Sequence, residues 1–155
     1  IWTNDNPQRQ QIAVIMQEAL KQVNIEVTID VMEWGAYLEK TSKGDHDMFM
    51  LGWAPSTGDA DGALYPLFHS SDIGNNNRTR YSNAELDKLL EAGRIETDET
   101  VRADIYKQAQ DIVNAEAPAA FIHHQAYLTG YAKNVTGFSV DATGIYQIQK
   151  VQITQ

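Results

Sequence analysis

The chain has 155 residues, 43% hydrophobic and 21% charged, the make-up of an ordinary globular domain with enough length for one core. Its formal net charge of −9 comes with no basic stripe, which argues against a nucleic-acid partner. It contains no cysteine, so disulfides, thiolate metal sites and a cysteine nucleophile are excluded. No apolar run approaches the ~18 residues of a membrane span.

The chain opens on Ile1-Trp2-Thr3-Asn4 with neither an initiator Met nor a secretory signal, and is expected to be a segment of something longer. Asn6-Pro7 is a helix-start signal, Asn as N-cap and Pro at the first helical position. Ile12, Ile15, Met16, Ala19, Leu20 and Val23 then follow the helical period of a single buried face. Beyond them the period falls to two: Ile25, Val27, Ile29 and Val31 alternate with polar residues, as in a half-buried strand. Residues 34–42 read as a short helix ending at Gly44. Met48-Phe49-Met50-Leu51 is apolar without alternation, the pattern of a central strand covered on both faces. This order of strands and helices predicts an α/β lobe with a partly parallel sheet.

Residues 54–62 and 72–80 read as polar loops rich in turn formers. Ser82-Asn83-Ala84-Glu85 has the form of a capping box, launching a helix that turns Leu86, Leu89 and Leu90 inward. Asp98 is placed to cap a second helix with the face Val101, Ile105, Ala109, Ile112 and Val113, ended by Pro118. Phe121-Ile122 and Tyr127 to Tyr131 read as strands, and Tyr146 to Ile153 alternates as another.

No catalytic or nucleotide-binding motif is present. Of four histidines, His123 and His124 are adjacent. On a strand they would face opposite ways, one packed and one solvated, and could not chelate together. Asp59 and Asp61 have no EF-hand or catalytic spacing. They can cap a turn or helix, or they can bind a ligand, because their loop follows a strand's carboxyl end, where open α/β sheets place ligands. Trp34 and Trp53 suit a core. Trp53, between strand and loop, also suits an indole that stacks on a ligand with one edge wet. Gly52, Gly58 and Gly62 would admit a close main-chain approach. Arg78 and Arg80 are either solvated or placed for an anionic group.

Taken in order, several stretches resemble the dipeptide, oligopeptide and glutathione-type solute-binding proteins of ABC importers. They are Val31-Met32-Glu33-Trp34-Gly35-Ala36-Tyr37-Leu38, Asp47-Met48-Phe49-Met50-Leu51-Gly52-Trp53, Ser56-Thr57-Gly58-Asp59-Ala60-Asp61 and Leu64-Tyr65-Pro66-Leu67-Phe68. Tyr81-Ser82-Asn83-Ala84-Glu85-Leu86-Asp87 and Tyr106-Lys107-Gln108-Ala109-Gln110-Asp111-Ile112 continue the match. The resemblance implies one lobe of a two-lobe, type II periplasmic-binding-protein-like fold, a mixed sheet flanked by helices, closing on its ligand by a hinge. Residues 1–124 would form most of the C-terminal lobe. Residues 125–155 would be terminal strands returning to an N-terminal lobe absent from this chain.

Peptide binders of that family often carry an aspartate three residues after the Gly-Trp, paired with the ligand's α-amino group. Here that position is Ser56, so this anchor does not carry over, and Asp59 and Asp61 are the substitutes. The expected ligand-binding set is Trp34, Gly52, Trp53, Ser56, Thr57, Asp59, Asp61 and Arg80. The implied role is capture of oligopeptides, dipeptides or glutathione-like peptides for a membrane ABC permease. The implied location is extracytoplasmic, in the periplasm or on the cell surface as a membrane-anchored lipoprotein. Catalysis, cofactor, bound metal and nucleic acid are not expected. The alternatives are a family member carrying a nickel complex, haem or a sugar and, from another class, a hydrolase using Asp59 and Asp61.

Overall fold

A computed structural model describes residues 1–124, 126, 128–141 and 143–154. The chain begins with β1 (Trp2–Asn4), α1 (Pro7–Lys21), β2 (Asp30–Met32) and α2 (Trp34–Lys43). Asn6 caps α1 by accepting from the Arg9 backbone N–H at 3.0 Å, with Pro7 at the first helical position. Gly44 ends α2 in the left-handed region at φ 80. β1 pairs in parallel with β2, Trp2 opposite Asp30, and on its other edge forms a parallel bridge from Trp2 to Phe49. Two hydrogen bonds hold that edge, Trp2 N–H to Met48 O at 2.8 Å and Met50 N–H to Trp2 O at 3.0 Å. β1 is therefore the middle of three parallel chain segments, with α1 and α2 packed against it.

The second layer is helical: α3 (Ala60–Phe68), a single 3-10 turn (Ser70–Asp72), α4 (Ala84–Ile95) and α5 (Glu99–Glu116). Leu86 and Leu90 of α4 interlock with Tyr106, Ala109 and Val113 of α5 and with Phe68 of α3 in one buried cluster. These positions recur at helical spacing, which gives each helix a single apolar stripe to bury. Gly93 of α4 is the socket for the Tyr106 ring, because a Cβ there would come within 2.7 Å of Tyr106 Cζ. The segment after α3 is tied by Asn77, fully buried, which donates to the carbonyls of His69 and Tyr81 at 3.0 and 2.9 Å. Arg78 joins the two layers, its Nη1 donating to Thr41 Oγ1 of α2 at 3.3 Å. The chain ends in two small antiparallel pairs, β3 (Val135–Thr136) with β6 (Gln152–Ile153) and β4 (Ser139–Val140) with β5 (Tyr146–Gln147).

Several expectations are corrected by this arrangement. The alternation over residues 25–31 becomes a strand only over Asp30–Met32, the residues that pair with Trp2–Asn4. The segment Met48–Leu51 forms an isolated bridge to β1 rather than a full strand among the described residues, and its residues are half-buried, not fully buried. The apolar stripe of α1 is only partly covered, with Ala13 buried but Ile15 and Val23 more than 60% exposed. Asn83, not Ser82, caps α4, accepting from the N–H groups of Glu85 and Leu86. The buried face of α5 runs through Tyr106, Ala109 and Val113, with Val101 left exposed, because the Tyr106 ring fits Gly93. The loop expected over 54–62 ends at Asp59, where α3 begins.

No strand forms at Phe121-Ile122 or at 128–131, and both His123 and His124 are exposed. Tyr127, with which that second strand was expected to start, lies outside the described residues, as does Gln125, where the terminal strands were expected to begin. The alternating tail breaks into β5 and β6, because the chain turns between them with Val151 N–H donating to Ile148 O at 3.1 Å.

Two features set measurable stability effects. Gly93→Ala, which in an exposed helix would add about 1 kcal/mol, is expected to cost about 1–3 kcal/mol by overpacking against Tyr106, read as a lower midpoint in urea. His46 sits edge-on between Trp2 and Phe49, with Nε2 3.1 Å from Arg78 O, and burial lowers its pKa. Below the unfolded value of about 6.5 the unfolded chain therefore binds a proton that the folded chain resists. Stability should rise with pH through that value and level off above it. Melting curves from pH 5 to 7.5 should show a steeper rise for the wild type than for His46→Gln.

Candidate ligand-binding site

Parallel pairing points the carboxyl ends of all three segments the same way, and the residues just beyond those ends define the site. β1 ends at Asn4. β2 is followed by Glu33, whose carboxylate accepts from Gly35 N–H at 2.7 Å and Ala36 N–H at 3.1 Å and so caps α2. These N–H groups lower the Glu33 pKa. The cap places Trp34 at the first position of α2. The third segment runs out through Leu51 into Gly52 and Trp53.

Arg9, in the first turn of α1, joins the three ends. Its Nη1 donates to Asn4 Oδ1 at 3.0 Å, and its guanidinium lies over the Trp34 ring at 5.9 Å. A Cβ at Gly52 would stand 3.2 Å from its Nη2. Arg9 has no ion pair among the described residues. Trp34 and Trp53 are each 42% exposed, and the Trp53 indole N–H donates to Gly62 O at 2.8 Å. The result is a cation, an amide, two half-open indoles and a glycine backbone at one end of the sheet. Such a surface can hold a carboxylate and flank apolar or amide groups.

Both aspartates are engaged by arginines of the helical layer. Asp59 caps α3 by accepting from Asp61 N–H at 2.8 Å. It also takes both arms of Arg102, Nη2 to Oδ1 at 2.7 Å and Nη1 to Oδ2 at 3.0 Å, and this guanidinium holds its carboxyl below the usual range. Arg102 in turn donates to Gly93 O at 2.9 Å. Asp61 Oδ1 lies 3.3 Å from Arg94 Nε, close enough for charge attraction although its angle makes no hydrogen bond. Arg94 itself lies 4.1 Å over the Tyr65 ring.

Ser56 and Thr57 are exposed on the connecting loop. That loop turns at Gly58, φ 67, and packs Pro55 and Thr57 against Gly62. Trp34, Gly52 and Trp53 are thus at the strand ends, with Ser56 and Thr57 on the adjoining loop. Arg80 stands apart, its side chain lying against Gly44 at the far end of α2, about 15 Å of helix from Trp34. Asn4 and Arg9 were not singled out from the sequence. A signal for Arg9 was available: a cation in the first turn of a helix opposes the helix dipole and needs another reason to be there. Among the described residues, surface clefts lie elsewhere between α1 and His123, His124 and Ala126 and between the end of α1 and residues 24–27.

Residues 1–75 match the family described as bacterial extracellular solute-binding proteins, family 5 middle region. The chain is similar to a dipeptide-binding protein of Pseudomonas aeruginosa, 32% identical over 87% of this chain and 25% of that protein. It is equally similar to haem-binding protein A of Haemophilus influenzae, 32% identical over 88% of this chain and 24% of that protein. Among solved structures, the oligopeptide-binding protein AppA of Bacillus subtilis, in complex with a nonapeptide, superposes with a TM-score of 0.82 at 29% identity, covering 99% of this chain and 31% of AppA. The chain spans about a quarter of the length of the curated relatives it matches. The fold is that of one lobe of a type II periplasmic binding protein, and residues 1–75 of the chain belong to the bacterial extracellular solute-binding proteins of family 5.

Proposed function

We propose that the protein containing this chain is the substrate-binding component of an ABC importer, which captures small peptides outside the cytoplasm and delivers them to a membrane permease. Its place is the periplasm, or the cell surface as a membrane-anchored lipoprotein. The observation that carries the reading is the strand-end cluster in which Arg9 and Asn4 meet the half-open Trp34 and Trp53. A peptide presents a carboxylate, regularly spaced amides and variable side chains. Arg9 suits the carboxylate through charge-assisted hydrogen bonds, the bare main chain at Gly52 suits the amides, and the two indoles suit the side chains. Ser56 and Thr57 add hydroxyl contacts, while Asp59 and Asp61 brace the loop through Arg102 and Arg94. Binding proceeds without bond making or breaking.

Residues 1–124 form this lobe, and the remainder, which carries the pairs β3–β6 and β4–β5, returns to a first lobe outside this chain. In support of that division, Ala119 packs against the helical core and Phe121 meets Phe68 edge-on, whereas no described residue beyond 124 packs against that cluster.

Mass spectrometry of small molecules released from the gently purified full-length protein is expected to find peptides. Recovery of haem, a nickel complex or a sugar, or hydrolysis of added di- to pentapeptides, would overturn the reading. Within the site, Arg9→Gln in the full-length protein should weaken binding of the recovered peptide about ten- to hundredfold, equivalent to about 1.5–3 kcal/mol for a charged hydrogen bond, with little change in Tm. Asp59→Asn should do the opposite, lowering Tm through the weakened Arg102 pair, since asparagine keeps the α3 cap, while calorimetric affinity changes less than about threefold.

A further inference from the structure

We infer that Tyr37 is a positioning residue for this site, a side chain that touches no ligand but sets the spacing between Trp34 and the Gly52–Trp53 turn. The inference rests on the peptide-binding reading above.

Tyr37 is fully buried one turn into α2 and has two attachments, each leading to a different wall of the site. Its ring stacks on Trp34, centroids 5.8 Å apart and planes 26° from parallel. Its hydroxyl donates to the Met50 carbonyl at 2.5 Å, two residues before Gly52 in the segment that carries Trp53. Burial pushes the Tyr37 pKa up to about 12, so the hydroxyl remains a donor at any working pH. The two attachments are not redundant, because Trp34 follows β2 whereas Met50 belongs to the segment on the opposite edge of β1. β1 ends beside Arg9, which lies over Trp34. Guanidinium, indole and phenol therefore share one assembly, and its last member is pinned to the far segment by an O–H···O bond. A side chain serving only as core filling has no need of that hydroxyl. Phenylalanine would supply the same ring, and the buried hydroxyl is tolerated only because Met50 O receives it.

If Tyr37 sets the gap between the indoles, loosening it should weaken every peptide held there, whatever its side chains, and should do so in steps. The full-length protein would be compared as wild type, Tyr37→Phe, which keeps the ring and loses the bond, and Tyr37→Leu, which loses both. Thr41→Val is the control for lost stability, since Thr41 is also buried in α2 and bonds the Tyr37 carbonyl at 2.8 Å but reaches neither indole. The probes are Ala-Phe, tri-alanine and glutathione, titrated by calorimetry, together with acrylamide quenching of tryptophan emission in the unliganded protein.

The expected result is a loss of affinity of about threefold for Tyr37→Phe and about tenfold or more for Tyr37→Leu, by the same factor for each probe that binds. Quenching should rise in Tyr37→Leu, while Thr41→Val melts lower yet binds and quenches as the wild type does. Equal weakening in Thr41→Val and Tyr37→Leu at equal loss of Tm would overturn the inference, as would wild-type affinity in Tyr37→Leu. Should the wild type bind none of the three probes, the peptide reading is what fails. Unchanged quenching in Tyr37→Leu would then refute the positioning role by itself.

Discussion

β1 hydrogen-bonds in parallel on both edges, to β2 and to the segment around Phe49, and everything at the site depends on that pairing. Parallel strands bring like ends together, so the residues that leave β1, β2 and the Met48–Met50 segment must emerge side by side. In a strand of three residues the backbone bonds are few, and side chains hold the ends in place: Arg9 to Asn4, the Glu33 cap on α2, and Tyr37 to Met50. A parallel sheet needs crossover connections long enough to hold a helix. That need is why α1 and α2 lie between the strands and can deliver Arg9 and Trp34 from their first turns.

Charge is sorted within this frame. The chain is acidic overall, with a formal net charge of −9, yet the strand ends carry a cation, and the two loop carboxylates that could neutralise a ligand ammonium are turned to Arg102 and Arg94. The Asp59–Arg102 contact uses both arms of the guanidinium, the geometry in which such pairs are strongest. Because Arg102 also bonds the Gly93 carbonyl, the pair ties the start of α3 to the α4–α5 packing. The loop from Gly52 to Asp59 is thereby anchored at both ends, to the sheet by Tyr37 and Trp2 and to the helical layer by Asp59. Between those ends Ser56 and Thr57 are left open, as are Gly52, Trp53, Ala54 and Gly58.

The helical layer is self-sufficient, whereas the sheet layer is not. Phe68, Leu86, Leu90, Tyr106, Ala109 and Val113 bury one another, while α1, β2 and the connection between them leave Val14, Ile15, Val23, Ile25 and Val31 half to two-thirds exposed. Since the chain spans about a quarter of its curated relatives, an apolar face of this kind is where the remainder of such a protein has surface to bury.

Local signals in the sequence were enough for α1, α2, α4 and α5 but not for α3, whose first turn was read as loop. Asn6-Pro7, Asp98 and Gly44 end or begin them where the chemistry of caps requires, and the leucines of α4 point inward as their spacing demands. The ordered set of segments around Glu33-Trp34, Gly52-Trp53 and Tyr106 was enough for the family. Strand length, burial of the Met48–Leu51 segment and the partners of Asp59 and Asp61 were decided only in three dimensions, because each depends on residues distant in the chain. Arg102 reaches Asp59 across 43 positions, and no periodicity encodes that contact. For the same reason the sequence did not show that Asp59 both caps α3 and meets Arg102, or that Asp61 lies beside Arg94. Arg9, which was not singled out from the sequence, was brought to the strand ends by the crossover that leaves β1.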